Sequence, residues 1–144
     1  MEYWLGAAAL LLWVGLRWFA RRGLFAKIMY VQVRENQFTV RNIECPPGEQ
    51  QLGRANFSHP RLLVGDFTLA EKCLKDTVAA ARGKGFALST GIVIHPLEKT
   101  EGGLTQVEER IFQELGSSAR VQPVIVWVGN VLSDDEVRAK LKGG

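Results

Sequence analysis

The sequence has few of the residues that form disulfides or bind metals, and it has no internal repeat. Its 144 residues include two cysteines and two histidines. A chain of this length buries a core without a disulfide, so we expect Cys45 and Cys73 to be free thiols, which favours a reducing compartment. The length is also too small for a two-domain enzyme. The ordinary share of hydrophobic residues, 47%, excludes global disorder.

Net positive charge is scarce beyond the first 22 residues. The formal charge of the whole chain is +3 at pH 7. Without Arg17, Arg21, Arg22 and Glu2, the remaining residues carry 15 basic and 14 acidic side chains. Nucleic-acid-binding domains concentrate positive charge over a folded face. The sequence therefore predicts no nucleic-acid partner.

Charged residues are missing between Tyr3 and Leu16. A helix over residues 3–20 would span roughly 27 Å, close to the ~30 Å hydrocarbon core of a bilayer. The pattern predicts a single-pass transmembrane anchor over residues 1–22, with membrane lipid as a partner. A cleaved signal peptide and a helix lying flat on the membrane are the alternatives. The aromatic and basic residues expected to hold the anchor at the interfaces are Trp4, Trp13, Arg17, Trp18, Arg21 and Arg22.

The basic residues follow the apolar segment, and only Glu2 and the terminal amine precede it. The positive-inside bias then places the N-terminus outside and residues 23–144 in the cytoplasm. The sequence thus predicts an inner-membrane protein with a cytoplasmic C-terminal domain.

Short segments after the anchor alternate apolar and polar residues. Lys27–Arg34 and Gln37–Ile43, joined by the turn-like Glu35-Asn36, predict a β-hairpin. A polar loop is expected from there to about residue 60. Two short apolar runs, Gly91–His95 and Val121–Val128, predict strands that are covered on both faces.

Three capping boxes predict where helices begin. In a capping box, a Ser or Thr caps the helix and a Glu three residues later bonds back to the cap. The sequence places such pairs at Thr68 and Glu71, at Thr105 and Glu108, and at Ser133 and Glu136. The predicted fold class is α/β, with α+β as the alternative: a transmembrane helix, then a small mixed-sheet domain formed by a hairpin followed by helix, strand, helix, strand and helix.

No cluster of polar residues predicts a catalytic, cofactor or metal site. The segment Arg82–Gly85 lacks the spacing of a phosphate loop. Acidic residues at a helix start complement the helix dipole without a metal ion. Neither histidine has a Cys or carboxylate at a metal-ligand spacing. The residues considered on these grounds are Asp134, Asp135 and Glu136 for a metal, His59 and His95 for a metal, and Glu98 and Glu101 beside His95 for acid–base chemistry.

Three segments between Pro60 and Val128 carry a family resemblance through their order and spacing. Residues 64–74 place Asp66-Phe67 before a helix start, residues 91–96 form a strand that ends in proline before a Thr-x-Val-Glu helix, and residues 119–127 read Ala-Arg and then an apolar strand. A weaker match lies at Ile28–Val31. These motifs resemble the bacterial actin family, specifically MreB, the rod-shape-determining protein.

The resemblance implies part of an actin-like subdomain without the ATPase of that family. Arg21–Lys27 occupies the place of the first phosphate loop, and Gly129 stands where the family has its catalytic glutamate. The second phosphate loop and the adenosine-binding half have no counterpart in the chain. Because a triphosphate must be gripped from both halves of the cleft, the resemblance implies no bound nucleotide and no other cofactor.

The predicted function is that of a non-catalytic, membrane-tethered module that binds another protein through an exposed strand edge. The resemblance implies an actin-like filament or an envelope component as that partner. Two alternatives remain. One is a small membrane-bound hydrolase that uses Asp66, His95 or Glu98, and the other is residual nucleotide binding.

Overall fold

The computed structural model describes residues 6–14, 26–44, 50–82 and 89–143. The strands are β1 (Ala26–Arg34), β2 (Gln37–Asn42), β3 (Gln50–Arg54), β4 (Ser89–Pro96) and β5 (Val124–Val126). They form one five-stranded sheet in the order β3-β2-β1-β4-β5. β2 is antiparallel to β1 and β3, whereas β4 is parallel to β1 and β5. The sheet is therefore mixed, and the domain is α+β.

Helices cover both faces of this sheet. α1 (Phe67–Arg82) and α2 (Gln106–Ser118) pack on one face, and α3 (Asp134–Lys142) packs on the other. Alternation along β1 explains the two layers, because successive side chains of a strand point to opposite faces. Met29, Val31 and Val33 join the core under α1 and α2, while Ile28 and Tyr30 join the core under α3.

The central strands are buried on both faces. In β4, Ile92 and Ile94 contribute to one core and Val93 to the other, and all three are at most 1% exposed. The prediction that this apolar run forms a strand covered on both faces is confirmed. The predicted hairpin is also confirmed, since β1 and β2 pair antiparallel around Glu35-Asn36.

Two of the three predicted capping boxes are present. Thr105 caps α2 with Glu108, and Ser133 caps α3 with Glu136. The predicted box at Thr68 and Glu71 is wrong, because α1 begins at Phe67, two residues earlier than that box implies. Asp66 Oδ1 accepts a hydrogen bond from the Leu69 amide at 3.0 Å, so Asp66 supplies the cap.

The segment between β2 and α1 differs most from its prediction. Residues 50–54 form β3, whereas a polar loop was expected there. The second predicted apolar strand is shorter than expected, because β5 covers only Val124–Val126. The residues of β3 have little intrinsic strand preference, and they form a strand because they pair with β2.

The predicted membrane anchor is wrong. Residues 6–14 are helical and exposed. Within the described residues, no helix has both the length and the apolar character needed to cross a bilayer. The fold-class prediction is corrected in this respect, and so are the inner-membrane localisation and the topology with the N-terminus outside.

Of the six predicted anchoring residues, Trp13 lies in the helical stretch 6–14 and is 58% exposed. The boundary predicted between residues 22 and 23 lies outside the described residues. The other five also lie outside them: Trp4, Arg17, Trp18, Arg21 and Arg22.

The cap of α3 offers a test of this local chemistry. Replacing Ser133 with alanine is expected to lower the free energy of unfolding by about 1 kcal/mol, because the Glu136 amide loses its acceptor. Urea denaturation followed by circular dichroism measures the change. The matched control is Ser117→Ala on the exposed side of α2, where a change within about 0.5 kcal/mol is expected. Equal losses in both variants would contradict the assigned cap.

Candidate functional site

β3 forms one edge of the sheet as the structure describes it. It pairs with β2 on one side, and none of the described strands pairs with its other side. The Ala55 amide donates to the Asn36 carbonyl at 3.2 Å, so the hydrogen-bonded pairs continue at Gly53 and Gln51. The backbone groups of Leu52, between them, therefore point away from β2.

The two faces of β3 differ in what covers them. Gly53 faces α1 so closely that a Cβ atom there would lie 2.0 Å from the Thr77 hydroxyl oxygen. Glycine at this position lets the helix approach the strand. Leu52 points to the opposite face, and its side chain is 53% exposed.

A groove of about 400 Å³ runs beside this edge, between β3 and α1. We call it the edge groove. Its helical wall presents both charge signs, because Lys72 and Asp76 are exposed one turn apart. The main lining residues are Gln51, Leu52, Gly53 and Arg54 from the strand and Leu69, Lys72, Cys73, Asp76, Thr77 and Ala80 from the helix.

Cys73 lies half-buried in the helical wall and is a free thiol. Burial raises the pKa of this thiol and the nearby Asp76 carboxylate raises it further, while a hydrogen bond with Thr77 opposes them. The thiol is therefore protonated at neutral pH, and since the thiolate is the reactive form, Cys73 is poorly suited to act as a nucleophile.

A second group of polar residues lies inside the domain, under the loop between β5 and α3. His95 is fully buried, and its Nδ1 atom lies 2.7 Å from the Tyr30 hydroxyl oxygen. Its Nε2 atom lies 2.9 Å from the Gly129 carbonyl oxygen. The Leu132 amide donates to the Tyr30 hydroxyl at 3.2 Å. These hydrogen bonds attach the loop between β5 and α3 to the strands β1 and β4.

The acceptor at Gly129 determines which nitrogen of His95 carries the proton. A carbonyl oxygen can only accept, so Nε2 must donate and the neutral ring accepts at Nδ1 from the Tyr30 hydroxyl. Burial lowers the pKa of His95, although the hydrogen bond to the Gly129 carbonyl opposes the shift. Both ring nitrogens are thus used within the fold.

The chain is 39% identical over 125 residues to the uncharacterized protein YjaA of Escherichia coli (strain K12). The matched region covers 80% of this chain and 97% of that protein.

The chain belongs to the YjaA family.

No protein-family model matches the chain, and no solved structure matches it.

The residues considered for a hydrolase in this member of the YjaA family bond to separate parts of the chain. Asp66 caps α1, and His95 bonds to Tyr30 and Gly129. Glu98 accepts a hydrogen bond from the Glu35 amide at 3.1 Å, next to the β1–β2 turn. The hydrogen bonds of Asp66, His95 and Glu98 thus belong to a helix cap, the core and a turn, respectively.

The acidic residues at the start of α3 form ion pairs. Asp134 pairs with Arg41 of β2, and Asp135 pairs with Arg138 at 3.0 Å. Glu136 belongs to the capping box of Ser133. In the described part of the chain, no group of three His, Cys, Asp or Glu side chains is placed to hold a metal ion.

The remaining candidate residues contact nearby parts of the chain or are exposed. His59 Nδ1 accepts from the Arg61 amide at 3.1 Å, and Glu101 is exposed in a turn. Gly129 has a φ of 150° and lies against the Trp127 ring. Of the segment Arg82–Gly85, all but Arg82 lies outside the described residues.

Sequence reasoning missed the residues that form the edge groove. It predicted an exposed strand edge without identifying which strand provides it. Gln50–Arg54 has no apolar alternation, so no local pattern of the sequence predicts a strand there. The partnership of Tyr30 with His95 was also missed, because 65 residues separate the two.

Proposed function

We propose that the chain is a non-catalytic protein-interaction domain that binds an extended peptide segment along β3. The observation that carries this proposal is the outward direction of the Leu52 backbone groups at an edge that no described strand covers. An extended segment gains main-chain hydrogen bonds when it adds to such an edge. The proposal does not include a membrane tether.

The edge groove supports an extended segment as the bound form. Side chains of an added strand alternate between the two faces of the sheet, so every second one would enter the groove beside α1. There it would meet Lys72 and Asp76 at the centre of the wall and Leu69 and Ala80 toward its ends. This combination favours partner segments with charged residues near the centre and small apolar residues on either side.

We also propose that the chain is related to a subdomain of the MreB family, which implies an actin-like filament or an envelope component as the partner. Three elements support this relationship. β4 ends at Pro96, α2 follows the cap residue Thr105, and β5 begins at Val124, as the resemblance implies.

The hydrolase hypothesis has less support than the interaction hypothesis. His95 is fully buried with both ring nitrogens hydrogen-bonded, so it offers no free base to a substrate. Asp66 and Glu98 accept hydrogen bonds from backbone amides elsewhere. We therefore do not propose a catalytic role for these residues.

A displayed library of random peptides tests the proposed function. Bound peptides are expected to slow hydrogen exchange at the amides of Gln50, Leu52 and Arg54, which point outward, and to leave β5 unchanged. Replacing Leu52 with proline removes one outward donor and keeps the ladder with β2, since proline is tolerated on edge strands. The selected peptides are expected to bind this variant at least about tenfold more weakly.

The matched control is Leu52→Val, which keeps the amide and the apolar side chain. It is expected to bind the selected peptides within about twofold of the unchanged chain. Circular dichroism checks that both variants remain folded. If no peptide binds, or if the selected peptides bind Leu52→Pro as well as they bind Leu52→Val, the proposal is rejected.

A further inference from the structure

We propose that the segment which adds to β3 is β3 of a second copy of this chain, so that two sheets join edge to edge about a two-fold axis. This inference rests on the proposed function, because it uses the same strand edge. It goes further by assigning this edge to a second copy of the chain, in place of the filament or envelope component that the MreB resemblance implies. Three features of the described residues support it: the register, the side chains that would face each other, and the charges of α1.

The outward backbone groups of Leu52 allow a symmetric register centred on this residue. A two-fold axis through that residue places the two β3 strands antiparallel, as an isologous interface requires. Gln50 then lies opposite Arg54 of the second copy, and these positions also point outward because they alternate with Gln51 and Gly53. About six main-chain hydrogen bonds would join the two strands.

The side chains that face each other in this register do not repel each other. Leu52 would face its own copy, which covers a leucine that is 53% exposed in the single chain. Arg54 would face the neutral Gln50. Centring the register on Arg54 would instead place two guanidinium groups opposite each other, which is unfavourable for a cross-strand pair. The register centred on Leu52 is therefore favoured over the one centred on Arg54.

The charges on α1 match the same two-fold axis. Gly53 contacts α1 between Cys73 and Thr77, so the middle of the helix lies beside the middle of β3. Lys72 and Asp76 are exposed there and line the edge groove. Antiparallel placement of the two helices would set Lys72 of each copy beside Asp76 of the other. The helix surface is thus complementary to itself.

The expected dimer is weak, because a five-residue strand and one helix face bury less than a standard interface. Sedimentation velocity of the full chain over a concentration series measures its dissociation constant. We expect a monomer–dimer equilibrium in the micromolar range. Leu52→Pro is expected to weaken it at least about tenfold, whereas Leu52→Val keeps it within about twofold.

Charge exchange tests the two-fold arrangement. Lys72→Asp and Asp76→Lys each replace two attractive pairs by repulsive ones, so each variant is expected to dimerise about tenfold more weakly. Combining both substitutions in one chain restores the pairs and is expected to restore dimerisation. Mixing the two single variants is expected to give a heterodimer. The control is Arg110→Asp on the exposed part of α2, which is expected to leave the equilibrium unchanged.

The possible outcomes separate this inference from the proposed function. A chain that remains monomeric up to about 500 µM overturns the inference, because even a small interface would be populated there. If library peptides still protect β3 in that case, the proposed function stands with a different partner. A dimer that is insensitive to Leu52→Pro and to the charge exchange uses another surface, and this too overturns the inference.

Discussion

Replacing Phe57 with alanine is expected to lower the free energy of unfolding by about 3–5 kcal/mol. Phe57 is fully buried, and its ring stacks on that of Phe38 with the centroids 4.6 Å apart. The truncation leaves a cavity under β2 and loses the contact between the rings. Urea denaturation followed by tryptophan fluorescence measures the loss. Val107→Ala is the control, because Val107 is 70% exposed and is expected to change stability by less than about 0.5 kcal/mol.

Phe57 also links the segment after β3 to the start of α1. It lies between β3 and α1, and its carbonyl oxygen accepts hydrogen bonds from the amides of Gly65 and Asp66, both at 2.8 Å. Because Asp66 caps α1, loosening Phe57 is expected to speed hydrogen exchange in the first turn of that helix. A loss below about 1 kcal/mol with unchanged exchange would show that neighbouring side chains refill the cavity.

Local chemistry explains which parts of the fold were predictable. The boxes at Thr105 and Ser133 join residues three apart, so the chain segment itself contains both partners. The box at Thr68 failed although its pattern is equally good. The chain enters α1 through hydrogen bonds to Phe57, which place Asp66 at the cap position instead. The hydrogen bonds to Phe57, which lies outside the helix, therefore select Asp66 instead of Thr68 as the cap of α1.

Non-local pairing explains what the sequence did not reveal. β3 is a strand because β2 offers it a ladder, and its polar residues tolerate solvent at an edge. The Tyr30–His95 pair forms because β1 and β4 are neighbours in the sheet, and no local sequence pattern predicts that pairing. The uncharged N-terminal segment suggested a spanning helix by composition, but none of the helices in the described part of the chain has the length and apolar character to cross a bilayer.

Replacing His95 with leucine is expected to lower the free energy of unfolding by about 2–3 kcal/mol. Leucine fills similar space, but the buried Tyr30 hydroxyl loses its acceptor and the Gly129 carbonyl loses its donor. His95→Gln retains an amide donor and an amide acceptor, so a smaller loss is expected. Urea denaturation at neutral pH compares the two variants. Equal stability of the leucine variant and the unchanged chain would show that the network contributes nothing.

The same residue is expected to make stability depend on pH. Burial lowers the pKa of the folded His95 below its ordinary value of 6.5. Below that value the unfolded chain takes up a proton at this position while the folded chain does not, so the unfolded state binds more protons. Stability therefore falls as the pH drops from 6.5 toward the folded pKa, and the contribution of His95 is complete above 6.5.

The network explains why the folded state resists this proton. A protonated imidazole donates from both nitrogens, so the Tyr30 hydroxyl could no longer donate to Nδ1. Its oxygen already accepts from the Leu132 amide, and the loop before α3 would lose part of its attachment. The difference in unfolding free energy between the unchanged chain and His95→Gln isolates this effect, because the other titrating groups are common to both. That difference is expected to shrink as the pH falls below 6.5, and a constant difference would mean that His95 does not titrate between the two states.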